Sequence, residues 1–244
     1  MEIKTESLGF SYPGRSVLKD ISIKIKSGDF VGITGSTGSG KTTLAYCLNG
    51  LIPHAIKGHM TGSVLVDGKD TRKKSMSELA SRAGFVFQDP DWQIFSLSVH
   101  DEVAFGLRNL KMKNAEKRIK NALSMVGLDG YADEVPYNLS HGQKQKLCIA
   151  SVLAMEPDAI ILDEPTSQLD YRSMMNIYSI LRNLNRAGKT VVVIEHDTDL
   201  IAEYAGSVIV IDKGTVVKHG KPSEVLSDKK LLGKLGIKVP EAYR

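Results

Sequence analysis

Short, uninterrupted apolar runs recur along the chain and predict the strands of a parallel β-sheet. Runs of this kind are typical of strands that are buried on both faces by covering helices. They lie at residues 31–34, 85–87, 159–162, 191–194 and 208–211. Segments with helical spacing follow several of them, at 42–49, 172–185 and 198–204. This alternation of strand and helix predicts an α/β fold.

Two parts of the chain depart from this alternation. In the first 30 residues, apolar and polar positions alternate (TESLGF, ISIKIK), which predicts an N-terminal antiparallel β layer. Residues 98–155 carry helical spacing almost throughout and interrupt the series of strands. We therefore predict a single domain over 1–244. It would comprise a core of 1–88 and 156–225, an inserted helical subdomain at 89–155 and a C-terminal tail at 226–244.

Composition and charge narrow the class of protein without naming a function. The chain is 42% hydrophobic and 25% charged, which is ordinary for a globular protein. Its net charge of +4 is too small to predict nucleic-acid binding, and its basic clusters at 69–74 and 111–120 fit solvated surface. No apolar run approaches the roughly 18 residues of a membrane helix. We therefore expect no nucleic-acid partner, and a membrane role only through another protein.

A glycine-rich stretch after the first apolar run has the pattern of a phosphate-binding loop. Residues 35–42 (GSTGSGKT) match G-x-x-x-x-G-K-[ST] between a predicted strand and helix, a context that a chance glycine-rich turn would lack. Glycines let successive backbone N–H groups face one phosphate, and the helix start adds partial positive charge. Lys41 can reach the β- and γ-phosphate oxygens, and the Thr42 hydroxyl can ligate Mg²⁺. The predicted nucleotide-binding residues here are Gly35, Ser36, Thr37, Gly38, Ser39, Gly40, Lys41, Thr42 and Thr43.

Two carboxylates at the end of a later apolar run suit the same nucleotide. In IILDEP (160–165), Asp163 can hold Mg²⁺ and Glu164 can polarise an attacking water as a general base. Alone, this pair would be better explained as an acidic helix cap. Together with the loop it predicts nucleotide hydrolysis, and because no N-K-x-D-like guanine-binding motif occurs, ATP is the predicted nucleotide. Tyr12 is a candidate to stack on the adenine.

A second helix start suited to binding an anion lies at residues 139–145 (LSHGQKQ). Ser140 is a natural N-cap, and Gly142 permits close backbone approach. Because the chain already has one phosphate loop, a second suggests a site that is completed by another copy. Here the sequence resembles the ATP-binding cassette (ABC) family, whose signature motif is L-S-G-G-Q. The resemblance implies the P-loop NTPase core of an ABC ATPase.

The resemblance covers nearly the whole chain and implies a role for each motif. The matching positions are Tyr12 (adenine-stacking aromatic), 35–43 (Walker A), Gln88 (Q-loop), 139–143 (signature), Asp163 and Glu164 (Walker B), 167–170 (D-loop) and His196 (switch histidine). By this resemblance Gln88 contacts Mg²⁺ and the catalytic water, and His196 contacts the γ-phosphate. Considered alone, His196 would be better explained as a core histidine. The implied catalytic residues are Glu164, His196 and Gln88, and the implied Mg²⁺ ligands are Thr42, Gln88 and Asp163.

The family resemblance also implies a mechanism that needs two ATPase subunits. Each ATP would lie between the Walker A loop of one subunit and Ser140, Gly142 and Gln143 of the other, and hydrolysis would open the closed dimer. Two positions depart from the family pattern, since His141 replaces a signature glycine and Gln168 replaces a D-loop alanine. His141 adds bulk where the subunits meet, so we expect a functional but slower site.

Two further stretches resemble the energy-coupling-factor group of ABC importers. These are NGLIPH (49–54), ahead of VLVDG, and QDPDWQIFSLSVHDEVAFG (88–106). The implied partners are a transmembrane coupling subunit and a small substrate-binding membrane subunit, with the ATPase at the cytoplasmic face of the membrane. The implied substrate is a vitamin or a cobalt or nickel ion, which the ATPase does not contact. The resemblance leaves open a homodimer, a heterodimer or a longer chain with two cassettes.

The segment QDPDWQIFSL (88–97) combines turn-forming residues with large apolar ones. It begins at Gln88 and enters the predicted helical subdomain, so we predict that residues 89–95, Asp89 to Phe95, bind the coupling subunit. We expect Trp92 and Ile94 to face that partner, Phe95 to be buried, and Asp89 and Asp91 to pair with arginines of the partner. The alternative function is a soluble ABC ATPase that acts as a nucleotide switch on DNA or ribosomes.

Overall fold

The computed structural model describes residues 1–244 and contains eleven strands, ten α-helices and four short 3-10 helices. The strands are β1 (Ile3–Tyr12), β2 (Arg15–Ile21), β3 (Lys24–Ile25), β4 (Phe30–Gly35), β5 (His59–Val66), β6 (Lys69–Asp70), β7 (Ala83–Val86), β8 (Ala159–Asp163), β9 (Thr190–Ile194), β10 (Ser207–Asp212) and β11 (Thr215–Gly220). The helices are α1 (Lys41–Asn49), α2 (Leu51–His54), α3 (Met76–Arg82), α4 (Val99–Asn109), α5 (Ala115–Val126), α6 (His141–Leu153), α7 (Tyr171–Arg186), α8 (Thr198–Tyr204), α9 (Pro222–Val225) and α10 (Lys229–Lys234). The 3-10 helices are Thr71–Lys73, Pro90–Trp92, Pro136–Asn138 and Glu241–Tyr243.

The mainly parallel sheet has six strands, of which the apolar runs predict five and the edge strand β11 was not predicted. Their order is β11-β10-β4-β9-β8-β7, and only the edge strand β11 runs antiparallel to its neighbour. Every residue of β9 is buried, and its alternate side chains enter different cores: Val191 and Val193 pack in one, Val192 and Ile194 in the other. Burial on both faces explains why these strands are apolar without alternation.

The second sheet is the antiparallel layer that the first 30 residues predict. Its order is β2-β1-β5-β6, with β3 also paired to β1. Strands β5 and β6 were not predicted from the sequence. Only two of the eight residues of β5, Val64 and Val66, are buried, so its apolar signal is weak. The layer packs on α1, where Leu8 and Phe10 share a core with Leu44 and Leu48.

Helices α4, α5 and α6 lie between β7 and β8 in the chain, as the helical spacing predicts. Leu107, Leu123 and Leu147 of these helices share one buried cluster with Val86 and Leu162 of the parallel sheet. Because this cluster extends over both parts, the boundaries predicted for core, helical subdomain and tail stay predictions. None of the helices combines the length and apolarity needed to cross a membrane.

Candidate active site

Three neighbouring strands of the parallel sheet end at the same edge, and each leads into part of the predicted site. The glycine-rich loop follows β4, Asp163 ends β8 with Glu164 next in the chain, and His196 closely follows β9. Because parallel strands all point the same way, their carboxyl ends gather residues that are far apart in sequence. The loop, both carboxylates and the histidine are therefore brought together by the sheet.

Lys41 holds the glycine-rich loop from within. Its Nζ atom donates hydrogen bonds to the backbone oxygens of Gly35, at 3.0 Å, and Ser36, at 3.1 Å. Burial lowers the pKa of Lys41, while the charges of Glu164 and Asp163 act in the opposite direction. The loop passes into α1 at Gly40, whose φ of 107° is a conformation that other residues rarely adopt. Hydrogen bonds within the chain therefore fix the shape of this loop.

A cavity of about 260 Å³ opens in front of the loop. It is lined by Tyr12, Arg15, Val17, Thr37, Gly38, Gly40, Lys41, Thr42, Thr43, Glu164 and His196. Arg15 and Val17 were not predicted, although Arg15 pairs directly with Tyr12 across the β1–β2 hairpin. Of the predicted loop residues, Gly35, Ser36 and Ser39 are not among those lining this cavity. The Ser36 hydroxyl instead donates to Asp212, at 3.0 Å.

The Glu164 carboxylate contacts the other two predicted catalytic residues, His196 and Gln88. Its Oε1 atom lies 2.8 Å from Nε2 of His196, and its Oε2 atom accepts a hydrogen bond of 2.9 Å from the Gln88 side-chain amide. The backbone of Glu164 has a φ of 45°, which is uncommon for a residue other than glycine and costs conformational energy. The fold therefore holds this carboxylate in one orientation, with a neighbour at each oxygen.

Asp163 is a buried carboxylate whose surroundings fit a divalent cation. Its exposure is 3%, and its Oδ1 atom has no hydrogen-bond donor. Burial raises the pKa of Asp163 to about 6, against the effects of the Thr42 hydroxyl, Lys41 and His196. An oxygen ligand that is buried and lacks a donor suits Mg²⁺, which prefers such ligands and usually binds few carboxylates. The protein contains no group of three or more His, Cys, Asp and Glu that could hold a metal ion by themselves.

The signature residues form the first turn of α6. Ser140 Oγ accepts the backbone N–H of Gln143, at 3.3 Å, and Gln143 Oε1 accepts the backbone N–H of Ser140, at 2.9 Å. This reciprocal capping box fixes both side chains. Neither Ser140, Gly142 nor Gln143 lines the cavity next to Lys41. The predicted dimer requires this separation, because in that dimer the three residues would bind the nucleotide held by the other subunit.

A buried hydrogen-bond network lies behind His196 and was missed by the sequence analysis. Glu195, which is 5% exposed, accepts the Thr166 hydroxyl at 2.8 Å, the Tyr178 hydroxyl at 3.3 Å and the backbone N–H of His196 at 3.1 Å. Burial raises the pKa of Glu195, and these donors partly offset that effect. One sequence signal was available, since Glu195 is a charged residue directly after the apolar run of β9.

The segment after Gln88 differs from its prediction in part. Trp92 is 82% exposed, as expected, but Phe95 is also exposed, at 62%, and Ile94 is partly buried against the main core. The Phe95 ring packs edge to face on Phe105, with ring centroids 4.6 Å apart. Phe95 is therefore held at the surface by another surface ring. The expected burial of Phe95 and the expected outward position of Ile94 were wrong.

The two aspartates of the segment contact their own chain. Asp91 forms an ion pair with Lys144 of α6, at 2.7 Å, and the Asp89 side chain accepts the backbone N–H of Asp91. Gln93 adds a second link to α6, because its amide donates to Cys148 O and its oxygen accepts the Phe87 N–H. The segment is thus fixed to α6 at two points.

Beside this segment lies an apolar groove of about 590 Å³. Trp92, Phe95 and Phe105 line it together with residues of α3, β7 and α6. Glu102, which is buried, accepts the backbone N–H groups of Phe95 and Ser96, at 3.1 and 2.9 Å. The border of the groove is therefore held in place by α4.

Comparisons with known proteins agree with this geometry. The sequence profile of the ABC transporter family matches residues 18–167. The energy-coupling factor transporter ATP-binding protein EcfA of Methanocaldococcus jannaschii is 41% identical over 243 residues, which are 98% of this chain and 85% of that protein. The structure of CbiO1 from Clostridium perfringens, part of the ABC transporter complex CbiONQ, is similar with a TM-score of 0.81 and 37% identity, covering 99% of this chain and 96% of that one. The dimeric ATP-binding cassette MJ0796, in a post-hydrolysis state bound to ADP and Pi, gives a TM-score of 0.78 and 31% identity over 90% of this chain and 98% of that one.

Proposed function

The chain belongs to the family of ABC transporter ATP-binding proteins, which are ATPases, and from this premise we propose that it powers an energy-coupling-factor importer. The observation that carries the proposal is a direct connection between site and groove. Gln88 donates to Glu164, and the following residues lead into the exposed Trp92 and Phe95. The likeness to EcfA and CbiO1 supports the same class of transporter. The proposed cargo is a vitamin or a cobalt or nickel ion.

ATP binding is assigned to the cavity beside Lys41. Tyr12 stacks on the adenine, and the backbone of residues 35–43 surrounds the phosphates while Lys41 exchanges its two carbonyl partners for phosphate oxygens. Asp163, Thr42 and Gln88 would hold Mg²⁺, which would supply positive charge to the phosphates when bound. This assignment explains why Asp163 is buried with an oxygen that lacks a donor.

Hydrolysis is assigned to Glu164 as the general base. Gln88 and His196 contact its two oxygens, so the carboxylate is oriented before it accepts a proton from water. His196 and Gln88 also lie where they can respond to the γ-phosphate, because both are tied to the same carboxylate. Loss of the γ-phosphate would then change the position of Gln88 and of the segment that follows it.

A second ATPase subunit completes each site through Ser140, Gly142 and Gln143. Charge-assisted hydrogen bonds to the γ-phosphate, of roughly 1.5–3 kcal/mol each, favour the closed dimer. Hydrolysis removes the group that these bonds require, so the equilibrium returns to the open form. The dimeric structure of MJ0796 supports an assembly of this kind, and the second subunit is the same chain or a related one.

The coupling subunit is assigned to the apolar groove beside Trp92. The groove has aromatic residues at its border, and exposed Trp and Phe of this kind are the usual anchors of a protein interface. The ion pair of Asp91 with Lys144 and the links of Gln93 connect this border to α6. A partner seated there would place the ATPase on the cytoplasmic face of the membrane, with a small membrane subunit binding the cargo.

Detergent co-purification tests this proposal. The tagged chain is co-expressed with its membrane subunits, and Trp92→Ala/Phe95→Ala is compared with Met125→Ala, a change at an exposed residue of α5 outside the groove. We expect the wild type and Met125→Ala to recover integral membrane proteins, and the double variant to lose them while still binding ATP. Mass spectrometry of the small membrane subunit then identifies its cargo. Full recovery by the double variant would place the partner elsewhere, and recovery of ribosomes or DNA instead of membrane proteins would favour a soluble ABC ATPase.

A further inference from the structure

The Glu195 side chain connects the two loops that carry Glu164 and His196, and we infer that Glu195 is a positioning residue for their contact. Its Oε1 atom accepts the backbone N–H groups of His196, at 3.1 Å, and Asp197, at 3.5 Å. Its Oε2 atom accepts the hydroxyl of Thr166, which lies in the turn that begins at Glu164. Each oxygen therefore holds a different loop. The inference rests on the roles proposed above for Glu164 and His196.

The backbone aligns these loops only as far as the strands extend. Glu164 N–H donates to Ile194 O, and Glu195 N–H donates to Ile33 O, both at 3.0 Å. Beyond these bonds the chain leaves the sheet on both sides. The Glu195 side chain continues the connection past the end of β9, up to the backbone of His196. Glu195 thus acts at the point where a displacement of one loop would separate His196 Nε2 from Glu164 Oε1.

A carboxylate at this buried position needs several hydrogen-bond donors, because burying a charge costs free energy. Removing a carboxylate from water is unfavourable unless donors replace the lost hydration. Here Thr166, Tyr178 and the His196 backbone supply donors within 3.3 Å, and Thr166 and Tyr178 are themselves buried. A carboxylate can accept from all of them at once, whereas the amide of a glutamine can accept at only one of its two ends. The site therefore favours an acceptor that connects several donors.

The contact being positioned is sensitive to small displacements. His196 Nε2 lies 2.8 Å from Glu164 Oε1, and a misplacement of about 1 Å in a catalytic group can cost about a hundredfold in rate. Tyr178 extends from α7, so Glu195 also ties the switch loop to the helix that follows the D-loop. A change at Glu195 should therefore alter the rate of hydrolysis through His196, with little effect on ATP binding.

The test is a double-mutant cycle between Glu195→Gln and His196→Ala. In the purified full-length chain, we expect Glu195→Gln to lower kcat about tenfold with KM for ATP changed less than twofold. In the His196→Ala background the same change should lower kcat no further, because its effect passes through His196. Thr166→Val, which removes one donor, should show a smaller loss of kcat with the same unchanged KM.

Thr5→Val is the matched control for Thr166→Val. Thr5 is also buried, and its hydroxyl donates to Ile21 O at 2.8 Å within the antiparallel sheet. Thr5→Val should lower the thermal stability of the protein while kcat stays at the wild-type value. If Thr5→Val and Thr166→Val reduce kcat alike, the network is structural and the inference is overturned.

NMR of the histidine ring protons gives a readout that does not depend on turnover. The chain has six histidines, and the His196→Ala spectrum identifies the signal of His196. We expect that signal to move in Glu195→Gln and to stay in place in Thr5→Val. An unchanged signal, or a double variant that loses a further tenfold in kcat, overturns the inference. If His196→Ala alone retains full turnover, the proposed catalytic role of His196 is wrong, and the NMR signal still decides whether Glu195 positions the ring.

Discussion

At the scale of single residues, the buried carboxylate of Asp163 lowers the stability of the fold at neutral pH. Its Oδ1 atom lacks a donor, and burial raises its pKa from 3.8 to about 6. Between about pH 4 and pH 6 the folded chain therefore binds more protons than the unfolded chain. The free energy of unfolding falls as pH rises through this window, and above it the charged carboxylate is a standing cost.

Asp163→Asn should remove that cost. At about 1.4 kcal/mol per pKa unit, we expect the free energy of unfolding at pH 7.5 to rise by about 2–3 kcal/mol. At pH 4 the gain should be much smaller, because the native carboxyl is then already protonated. Denaturant titrations at the two pH values measure this difference.

Asp228 provides the opposite control. A hydrogen bond from Lys218 lowers the pKa of Asp228, so Asp228→Asn should reduce stability at pH 7.5. If Asp163→Asn raised the free energy of unfolding equally at both pH values, burial of the charge would not be the cause of the gain.

At the scale of elements, the first turn of α6 serves two purposes that can be separated. Ser140 caps the helix within its own chain, and it is also the residue assigned to the nucleotide of the second subunit. Ser140→Asp should preserve the cap, since Asp is as good an N-cap as Ser. It would nevertheless place a negative charge against the phosphates.

We therefore expect Ser140→Asp to abolish ATP turnover while the free energy of unfolding stays within about 0.5 kcal/mol. Ser75→Asp is the matched control, because Ser75 caps α3 with the same kind of capping box. That variant should retain turnover, although its stability should fall, because the Ser75 hydroxyl donates to Glu78 and an aspartate would face that carboxylate. Loss of turnover in both variants, or in neither, would contradict the role given to the signature turn. Denaturation curves and steady-state phosphate release supply the two measurements.

The same elements show what the sequence can and cannot predict. Local patterns were sufficient where one segment determines its own structure. The run VVVI predicts β9 because both faces of that strand are buried, and GSTGSGKT predicts its loop because the glycines and Lys41 lie within one turn. Strand β5 was missed because its buried face reduces to Val64 and Val66.

Features that depend on distant contacts were not predictable. The Glu195 network brings together Thr166 and Tyr178, which are separated from it by 29 and 17 residues. Phe95 lies at the surface, where Phe105 from another element packs edge to face against it. Asp91 is paired with Lys144, 53 residues away, a contact that the sequence does not show. Its expected pairing with an arginine of a partner stays a prediction. In each case, the deciding partner comes from a different element.

At the scale of the whole molecule, the site predicts an assembly that can be trapped. Glu164→Gln keeps the shape of the side chain but removes the proposed general base. We expect this variant to bind ATP, to lose turnover, and to accumulate as a dimer when ATP and Mg²⁺ are added. Sedimentation velocity with and without ATP measures the dimer.

Lys41→Ala serves as the comparison for this experiment. It removes the cation that the proposal places on the phosphates, so it should remain monomeric with ATP. Normal steady-state turnover in Glu164→Gln would show that another group acts as the base.

In the proposed site, the shape of the loop around Lys41 would also affect how quickly nucleotide binds. Two hydrogen bonds to the carbonyls of Gly35 and Ser36 hold the curvature of the loop, so its backbone entropy is lost during folding and not at the encounter with ATP. Association then requires only an exchange of hydrogen-bond partners at Lys41. We therefore expect nucleotide to bind this loop without a preceding change in the backbone of the loop.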